Sequence, residues 1–172
     1  MSPTLPLVKP RFLPPLDEGF RPAVLANRQF QEQVAGSGGG IPLVLGLERS
    51  DGELTRFETH LLPDGHPQAG ANLMYAERLV KFLLWARGGW KLYVGGPKNI
   101  AAALARIYSP EGERAFDYHF MGEEVYEQAF TVVHCAPEAV PPANERGKPL
   151  GRHLDGCRIG FDLGASDRKV SA

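Results

Sequence analysis

Apolar and polar positions between residues 41 and 135 repeat with periods that predict a small α/β domain. Residues 41–47 form a short apolar run rich in β-forming residues, Ser50-Asp51-Gly52 has the composition of a turn, and residues 54–61 alternate with a period of two. Two such runs joined by a turn are typical of a β-hairpin. We therefore expect the domain to begin with a hairpin.

The segment that follows this hairpin has the spacing of an amphipathic helix. Asn72 precedes the periodic positions, and we expect it to cap the helix. Glu77, Arg78 and Lys81 fall together on the opposite side, and we interpret them as a solvated face with Glu77 and Lys81 in the favourable i,i+4 order. The apolar positions fall three and four residues apart: Leu73, Ala76, Val80, Leu83 and Leu84.

A glycine turn connects the next strand to the next helix. Residues 90–94 predict a short buried strand, and Gly95-Gly96-Pro97 leads directly into a helix over residues 99–108. Backbone N–H groups at such a turn can bind an anion, so Gly95 and Gly96 are candidate cofactor-binding residues. The alternative is that the glycines only make the turn and that Pro97 only starts the helix. We favour this alternative because the full spacing Gly-x-Gly-x-x-Gly is absent.

Two further strands complete the predicted domain. Residues 116–120 and 125–135 have strand character around Met121-Gly122-Glu123-Glu124. A layered mixed sheet with short connections accounts for the order hairpin, helix, strand, helix, hairpin. We therefore assign residues 41–135 to one small α/β domain.

Segments rich in proline and glycine flank this domain on both sides. Residues 1–40 predict an extended arm that contains a short helix over residues 23–35. Residues 136–151 return to the composition of a linker. A second domain is expected to begin at residue 152. The helix in the arm has a sparse apolar face: Leu25, Phe30 and Val34.

Composition and charge limit the kinds of partner and cellular location that we expect for this protein. The formal net charge of −1 gives no electrostatic reason to expect nucleic acid or an anionic membrane as a partner. The first ten residues lack the apolar core of a signal peptide, and no apolar run is long enough to span a bilayer. Two cysteines cannot form a disulfide framework for 172 residues. These observations predict a soluble, cytoplasmic protein and leave homo-oligomer formation open.

The histidines and cysteines form no strong metal motif. His134-Cys135 and His153-x-x-x-Cys157 could be combined into four zinc ligands, but the usual Cys-x-x-Cys knuckle is absent. Cys157 is instead expected to be a small buried apolar residue. We therefore do not predict a zinc site.

The most specific chemical signal lies in the last fifteen residues. A strand ends at Asp162, and the small residues Gly164 and Ala165 would let backbone N–H groups approach an anion closely. Asp162 could hold a hydrated Mg²⁺, Ser166 could donate its hydroxyl to a phosphoryl oxygen, and Lys169 could supply a positive charge. The alternative is a plain β-turn between two strands. We expect the returning strand to be incomplete.

Residues 159–170, Ile-Gly-Phe-Asp-Leu-Gly-Ala-Ser-Asp-Arg-Lys-Val, resemble the first phosphate loop of the sugar kinase, actin and chaperone ATPase superfamily. Within that superfamily they are most similar to the ROK family of bacterial sugar kinases and repressors. Asp167 departs from the Lys or Asn that usually follows the hydroxyl residue. Lys169 stands where hexokinase-like members often carry a basic residue. Four residues match the motif in turn: Asp162, Gly164, Ala165 and Ser166.

The resemblance implies an ATP- and Mg²⁺-dependent carbohydrate kinase of which this chain is the N-terminal portion. The catalytic aspartate, the sugar-binding residues and the second phosphate loop of the family would lie beyond residue 172, so the chain alone is expected to be inactive. Residues 41–135 loosely resemble a degenerate half of the same superfamily. Residues 1–40 show no helix-turn-helix with a basic face, which favours the kinase branch over the repressor branch. A non-enzymatic α/β interaction or regulatory module is the alternative.

Overall fold

The computed structural model describes residues 7–146, 155–157 and 159–171. A four-stranded mixed sheet and a separate two-stranded hairpin form its β-structure. The helical elements are α1 (Ala23–Gly36), α2 (Ala71–Arg87), α3 (Lys98–Ile107), the short α4 (Ala115–Asp117) and a π-helical segment (Tyr118–Val125). The strands are β1 (Ile41–Glu48), β2 (Leu54–Leu61), β3 (Lys91–Gly95), β4 (Thr131–Cys135), β5 (Gly160–Leu163) and β6 (Arg168–Ser171).

The four-stranded sheet has the strand order β2-β1-β3-β4. Strand β1 pairs antiparallel with β2 and with β3, whereas β4 is parallel to β3. Helix α3 makes the crossover that parallel neighbours require. The prediction of an α/β fold with a mixed sheet is therefore confirmed. No helix within the described ranges is both long enough and apolar enough to cross a bilayer.

The first hairpin and the core side of α2 agree with the hydrophobic pattern. Ile41 pairs with Leu61, and the register continues without interruption to Glu48 and Leu54. Leu43, Leu45 and Leu47 alternate along β1, and all three side chains lie in the core. Alternation along β1 therefore identifies the face that packs against the helices.

Asn72 does not cap α2, contrary to the sequence prediction. The helix begins at Ala71, two residues before the start that a cap at Asn72 would give, and Gly70 occupies the cap position. The Asn72 side chain is buried; its Oδ1 accepts a hydrogen bond from the Leu62 N–H at 3.0 Å and its Nδ2 donates to the Leu62 carbonyl at 2.8 Å. The amide satisfies the backbone just beyond the end of β2, where no neighbouring strand can do so.

The prediction of a second hairpin is wrong. Residues 116–124, predicted as a strand and a turn, lie in a helical stretch over residues 115–125. Of residues 125–135, predicted as the second strand, only Thr131–Cys135 forms one. Phe116 and Phe120 lie four residues apart, and their ring centroids are 5.5 Å apart on one face of this helical segment. The alternating aromatic pattern at 116, 118 and 120 suggested a period of two, but the i,i+4 contact is the one that forms.

Helix α1 is part of the core rather than of a detached arm. The Phe30 ring stacks on Tyr75 of α2 with a centroid distance of 4.2 Å. Phe30 and Val34 are buried, as the sequence predicts, and Ala26 takes the third buried position, whereas Leu25 is only partly buried.

The first part of the predicted linker packs against the sheet. Val140 is 3% exposed and lies over Gly46 and Gly95. A few residues later, Asn144 forms an antiparallel bridge with Leu54 at the edge strand β2. Residues 136–146 therefore continue the domain, and residues 147–151 lie outside the described part. The boundary predicted between two domains stays a prediction.

Candidate functional site

Strands β5 and β6 form an antiparallel hairpin around the predicted phosphate loop. The register pairs Asp162 with Lys169 and Phe161 with Val170. Residues 164–167 form the turn, where a Cβ added to Gly164 would lie 3.1 Å from the Asp167 carbonyl oxygen. The returning strand is thus formed, so the prediction that it is incomplete is wrong. Backbone pairing between residues 160–163 and residues 168–171 holds the two strands of the hairpin together.

The hairpin brings the predicted charged residues onto one face. Because paired residues in an antiparallel ladder point to the same side, Asp162 and Lys169 are cross-strand neighbours. Gly160 and Ser171, two residues further from the turn, pair on this same face. The six residues from 160 to 162 and from 169 to 171 line an open depression. A carboxylate and an ammonium group can therefore act on the same small ligand at this surface.

The predicted turn residues lie at the tip of the hairpin. Gly164, Ala165 and Ser166 are all exposed and follow β5 without an intervening element. Their backbone and the Ser166 hydroxyl are accessible to solvent, as a phosphate-binding turn requires. Asp162 is likewise exposed. The resemblance to a Mg²⁺-phosphate turn is compatible with this geometry, and the assignment of these residues stays a prediction.

The opposite face of the hairpin carries three apolar side chains, together with Arg168, which pairs with Leu163. Phe161 and Leu163 are 70% and 77% exposed, and Val170 is 62% exposed. A two-stranded hairpin in water is marginally stable by itself, and a further layer on its apolar face is the usual source of stability. The three apolar side chains are thus left uncovered by the described residues.

Gly95 and Gly96 lie at the carboxyl end of β3, before α3, as predicted. A Cβ on Gly95 would come within 2.6 Å of Val140 Cγ2 and 2.8 Å of Pro137 Cα. A Cβ on Gly96 would lie 3.0 Å from the Pro42 carbonyl oxygen. Protein atoms thus occupy the space beside both glycines, and this close packing explains them without a ligand. Their assignment as cofactor-binding residues stays a prediction.

The residues considered for zinc do not assemble in the described part of the chain. His134 Nε2 lies 3.0 Å from the Gly96 carbonyl oxygen, and burial raises the pKa of the Cys135 thiol. Cys157 is exposed, so the prediction that it is buried is wrong. His153 lies outside the described residues. Within them, no group of three His, Cys, Asp or Glu side chains is placed to hold a metal ion.

A buried acidic residue escaped the sequence analysis. Asp117 has a side chain that is 2% exposed, and its carboxylate accepts hydrogen bonds from Lys81 Nζ at 2.7 and 2.8 Å and from Trp85 Nε1 at 2.6 Å. These donors occupy both oxygens, and Asp117 therefore anchors α2 to the helical segment. Its two partners, Lys81 and Trp85, lie more than thirty residues away in the sequence.

A second ion pair also joins α2 to the part of the chain that follows α3. Glu77 Oε1 lies 2.6 Å from Arg114 Nε and 3.5 Å from the Tyr108 hydroxyl. Burial, and next the negative charge of Glu77, raise the pKa of Tyr108 well above its usual range. The prediction that Glu77 and Lys81 belong to a solvated face is therefore wrong, because both side chains pair with residues outside α2.

No family model, curated protein or solved structure matches the chain.

Proposed function

We propose that the chain is the N-terminal portion of a ROK-like, ATP-dependent carbohydrate kinase and that its terminal hairpin is the first phosphate loop. The observation that carries the proposal is the two-faced hairpin. The motif residues Asp162 and Lys169 share its polar face, and Phe161, Leu163 and Val170 lie on the side that further structure would cover. The motif and the shape of the hairpin thus support the same role.

Each motif residue has a defined task in this proposal. Asp162 holds a hydrated Mg²⁺ beside the phosphates, the backbone of Gly164 and Ala165 approaches the phosphate oxygens, and Ser166 donates its hydroxyl. Lys169, opposite Asp162 in the ladder, offsets the negative charge of the nucleotide. ATP and a sugar would be the substrates and the cytoplasm the setting.

The domain over residues 23–146 is accessory in this proposal. The family pattern would put the catalytic aspartate beyond residue 172. The 172-residue chain is therefore expected to show no phosphorylation of sugars by ATP. Sugar phosphorylation by the pure chain would contradict the proposal.

Titration with Mg-ATP followed by amide NMR tests the binding role directly. Shifts are expected at residues 160–171 and should be lost in Asp162→Asn. Asp155→Asn is the matched control, because Asp155 is also an exposed aspartate of the C-terminal region but lies outside the motif. Equal shifts in Asp162→Asn and in the unaltered chain would exclude Mg²⁺-phosphate binding through Asp162. Sequencing the gene beyond codon 172 adds an independent test, since a stop codon there would contradict the proposal.

A non-enzymatic interaction or regulatory module is the second candidate. It is favoured by exposed aromatic side chains on the α/β domain, among them Phe82 and Phe116 at 67% and 65% exposure. Large exposed apolar patches commonly mark interaction sites. The two candidates differ in the Mg-ATP titration, because the module requires no nucleotide.

A further inference from the structure

Three exposed aromatic side chains and the half-buried Phe120 form one surface on the α/β domain, which we call the aromatic face: Phe82, Trp85, Phe116 and Phe120. Phe82 and Trp85 lie three residues apart on α2 and are therefore neighbours on its surface. Phe116 and Phe120 belong to the helical segment beside α2, and both of their rings stack with Trp85. The aromatic face thus bridges two elements.

The rings of the aromatic face are held in fixed positions. The Trp85, Phe116 and Phe120 planes lie within 7° of parallel, with centroid distances between 5.5 and 6.3 Å. Three nearly equal distances describe a triangle, so the rings spread over a surface instead of forming one column. The Trp85 indole is tied by its N–H to buried Asp117, and Lys81 Nζ lies 5.2 Å from the ring centroid. Such preorganisation lowers the entropic cost of binding.

The exposed area of the aromatic face follows from the exposure of its side chains. Trp85 is 47% exposed and Phe82 and Phe116 are about two-thirds exposed, which leaves roughly 300 to 400 Å² of aromatic surface in contact with water. This is comparable to the largest patch of a typical monomeric protein, and such patches are often functional. Aromatic residues are also the ones that dominate interface energetics.

Charges of opposite sign flank the two sides of the aromatic face. On α2, Arg78 and Lys81 precede Phe82 and Trp85 with the spacing i, i+3, i+4, i+7, which places the four residues on one stripe. On the helical segment, Glu124 follows Phe120 by one turn and is exposed. Lys81 is already paired with Asp117. Of the remaining charges we use half-buried Arg78 on α2 and exposed Glu124 on the helical segment as the pair that faces a partner.

An aromatic centre with one basic and one acidic side is complementary to a second copy of itself. A two-fold axis through the centre brings the basic side of one copy to the acidic side of the other, as an isologous interface requires. The net charge of −1 adds little long-range repulsion between copies. We infer that the aromatic face is the interface of a homodimer in which Arg78 of each chain faces Glu124 of the other. This inference does not depend on the proposed kinase function.

Analytical ultracentrifugation of the 172-residue chain tests the inference. A dimer of twice the 18.8 kDa chain mass is expected. Phe82→Ser and Phe116→Ser should each raise the dimer dissociation constant about tenfold or more, since each removes an exposed aromatic anchor. Both side chains are about two-thirds exposed in the monomer, so circular dichroism should show an unchanged fold.

Phe161→Ser is the matched control because Phe161 is equally exposed but lies on the terminal hairpin. It should leave the dissociation constant unchanged. A chain that stays monomeric at about 100 µM, far above the dissociation constants of specific dimers, would overturn the inference. A dimer that is weakened by Phe161→Ser but not by Phe82→Ser would overturn it as well.

Charge reversal tests the two-fold arrangement itself. Arg78→Glu and Glu124→Arg should each weaken the dimer, and the double variant should restore it, because the paired charges would then only have exchanged places. A double variant as weak as the sum of the single variants would contradict the pairing of Arg78 with Glu124. A readout at Trp85 gives a second measurement: in a Trp90→Phe background, its fluorescence should shift to shorter wavelength with increasing protein concentration.

Discussion

Lys81 Nζ lies 2.7 and 2.8 Å from the two carboxylate oxygens of Asp117, whose side chain is almost fully buried. This pair, together with the Trp85 N–H, joins α2 to the helical segment that follows α3. A buried charge that loses its partner is strongly destabilising. The pair therefore has a stabilising role that can be measured.

Asp117→Ala is expected to lower the free energy of unfolding by about 3 kcal/mol, because it leaves the Lys81 ammonium and the Trp85 N–H without their acceptor. Urea denaturation measures the change. Lys81→Met should also destabilise the chain, and the double variant should lose less than the sum of the two single changes. Asp64→Asn is the control, since Asp64 is exposed in a loop. Additive effects at 81 and 117 would show that the two side chains do not interact.

Gly95→Ala is expected to lower the free energy of unfolding by about 1 to 3 kcal/mol, because its methyl group would overlap Val140 and Pro137. Gly39→Ala is the control: a Cβ on Gly39 meets nothing within 4 Å, and its backbone needs no positive φ. Thermal unfolding of both variants measures the difference. Equal midpoints would show that residues 136–140 do not close over Gly95.

Asn72→Ala should lower the free energy of unfolding by about 2 kcal/mol, because the N–H and the carbonyl of fully buried Leu62 both lose their partner. Asn99→Ala, on an exposed position near the start of α3, should change it by less than about 0.5 kcal/mol. Denaturation in urea distinguishes the two. An Asn72 variant as stable as the Asn99 variant would indicate that Leu62 finds other partners.

His119 is expected to titrate above its ordinary pKa of 6.5, first because of its hydrogen bond to Glu123 and then because of nearby negative charge. A histidine whose pKa is raised on folding adds stability below 6.5, and this contribution is lost as the pH rises through the folded pKa. NMR titration of the imidazole measures the value. Glu123→Gln should bring it down towards 6.5, whereas Glu58→Gln should not. The same pKa in Glu123→Gln and in the unaltered chain would contradict the pairing.

The periodic parts of the fold were predictable from sequence, and the parts determined by distant contacts were not. The apolar run of β1 and the three-four spacing of α2 reflect the core directly, so both elements were predicted. On α2, however, Leu73 is only partly buried, and Tyr75 and Leu79 are buried in addition to the predicted positions. At residues 116–120 the local pattern supports a strand as well as a helix. In the helical form, Asp117 is buried between Lys81 and Trp85. A pattern of neighbouring residues cannot reveal contacts with residues so distant in the sequence.

At the candidate site, too, the local features were predictable from the sequence, and the pairing between strands was not. The sequence located Asp162, Ser166 and Lys169 and predicted a strand before the turn, but it did not predict the completed hairpin. The pairing of Asp162 with Lys169 depends on register, and register follows from the length of the turn. The role of these residues in phosphate binding stays a prediction.

Val140 has a consequence for how this sequence can evolve. Its two methyl groups fill the space beside Gly46 on β1 and Gly95 on β3 at the same time. A larger residue at position 46 would be acceptable only with a smaller one at 140, whereas at position 95 the Cα of Pro137 stands in the way as well. In natural relatives of this chain, positions 46 and 140 should therefore covary in size, although they lie 94 positions apart in the sequence, and position 95 should stay glycine.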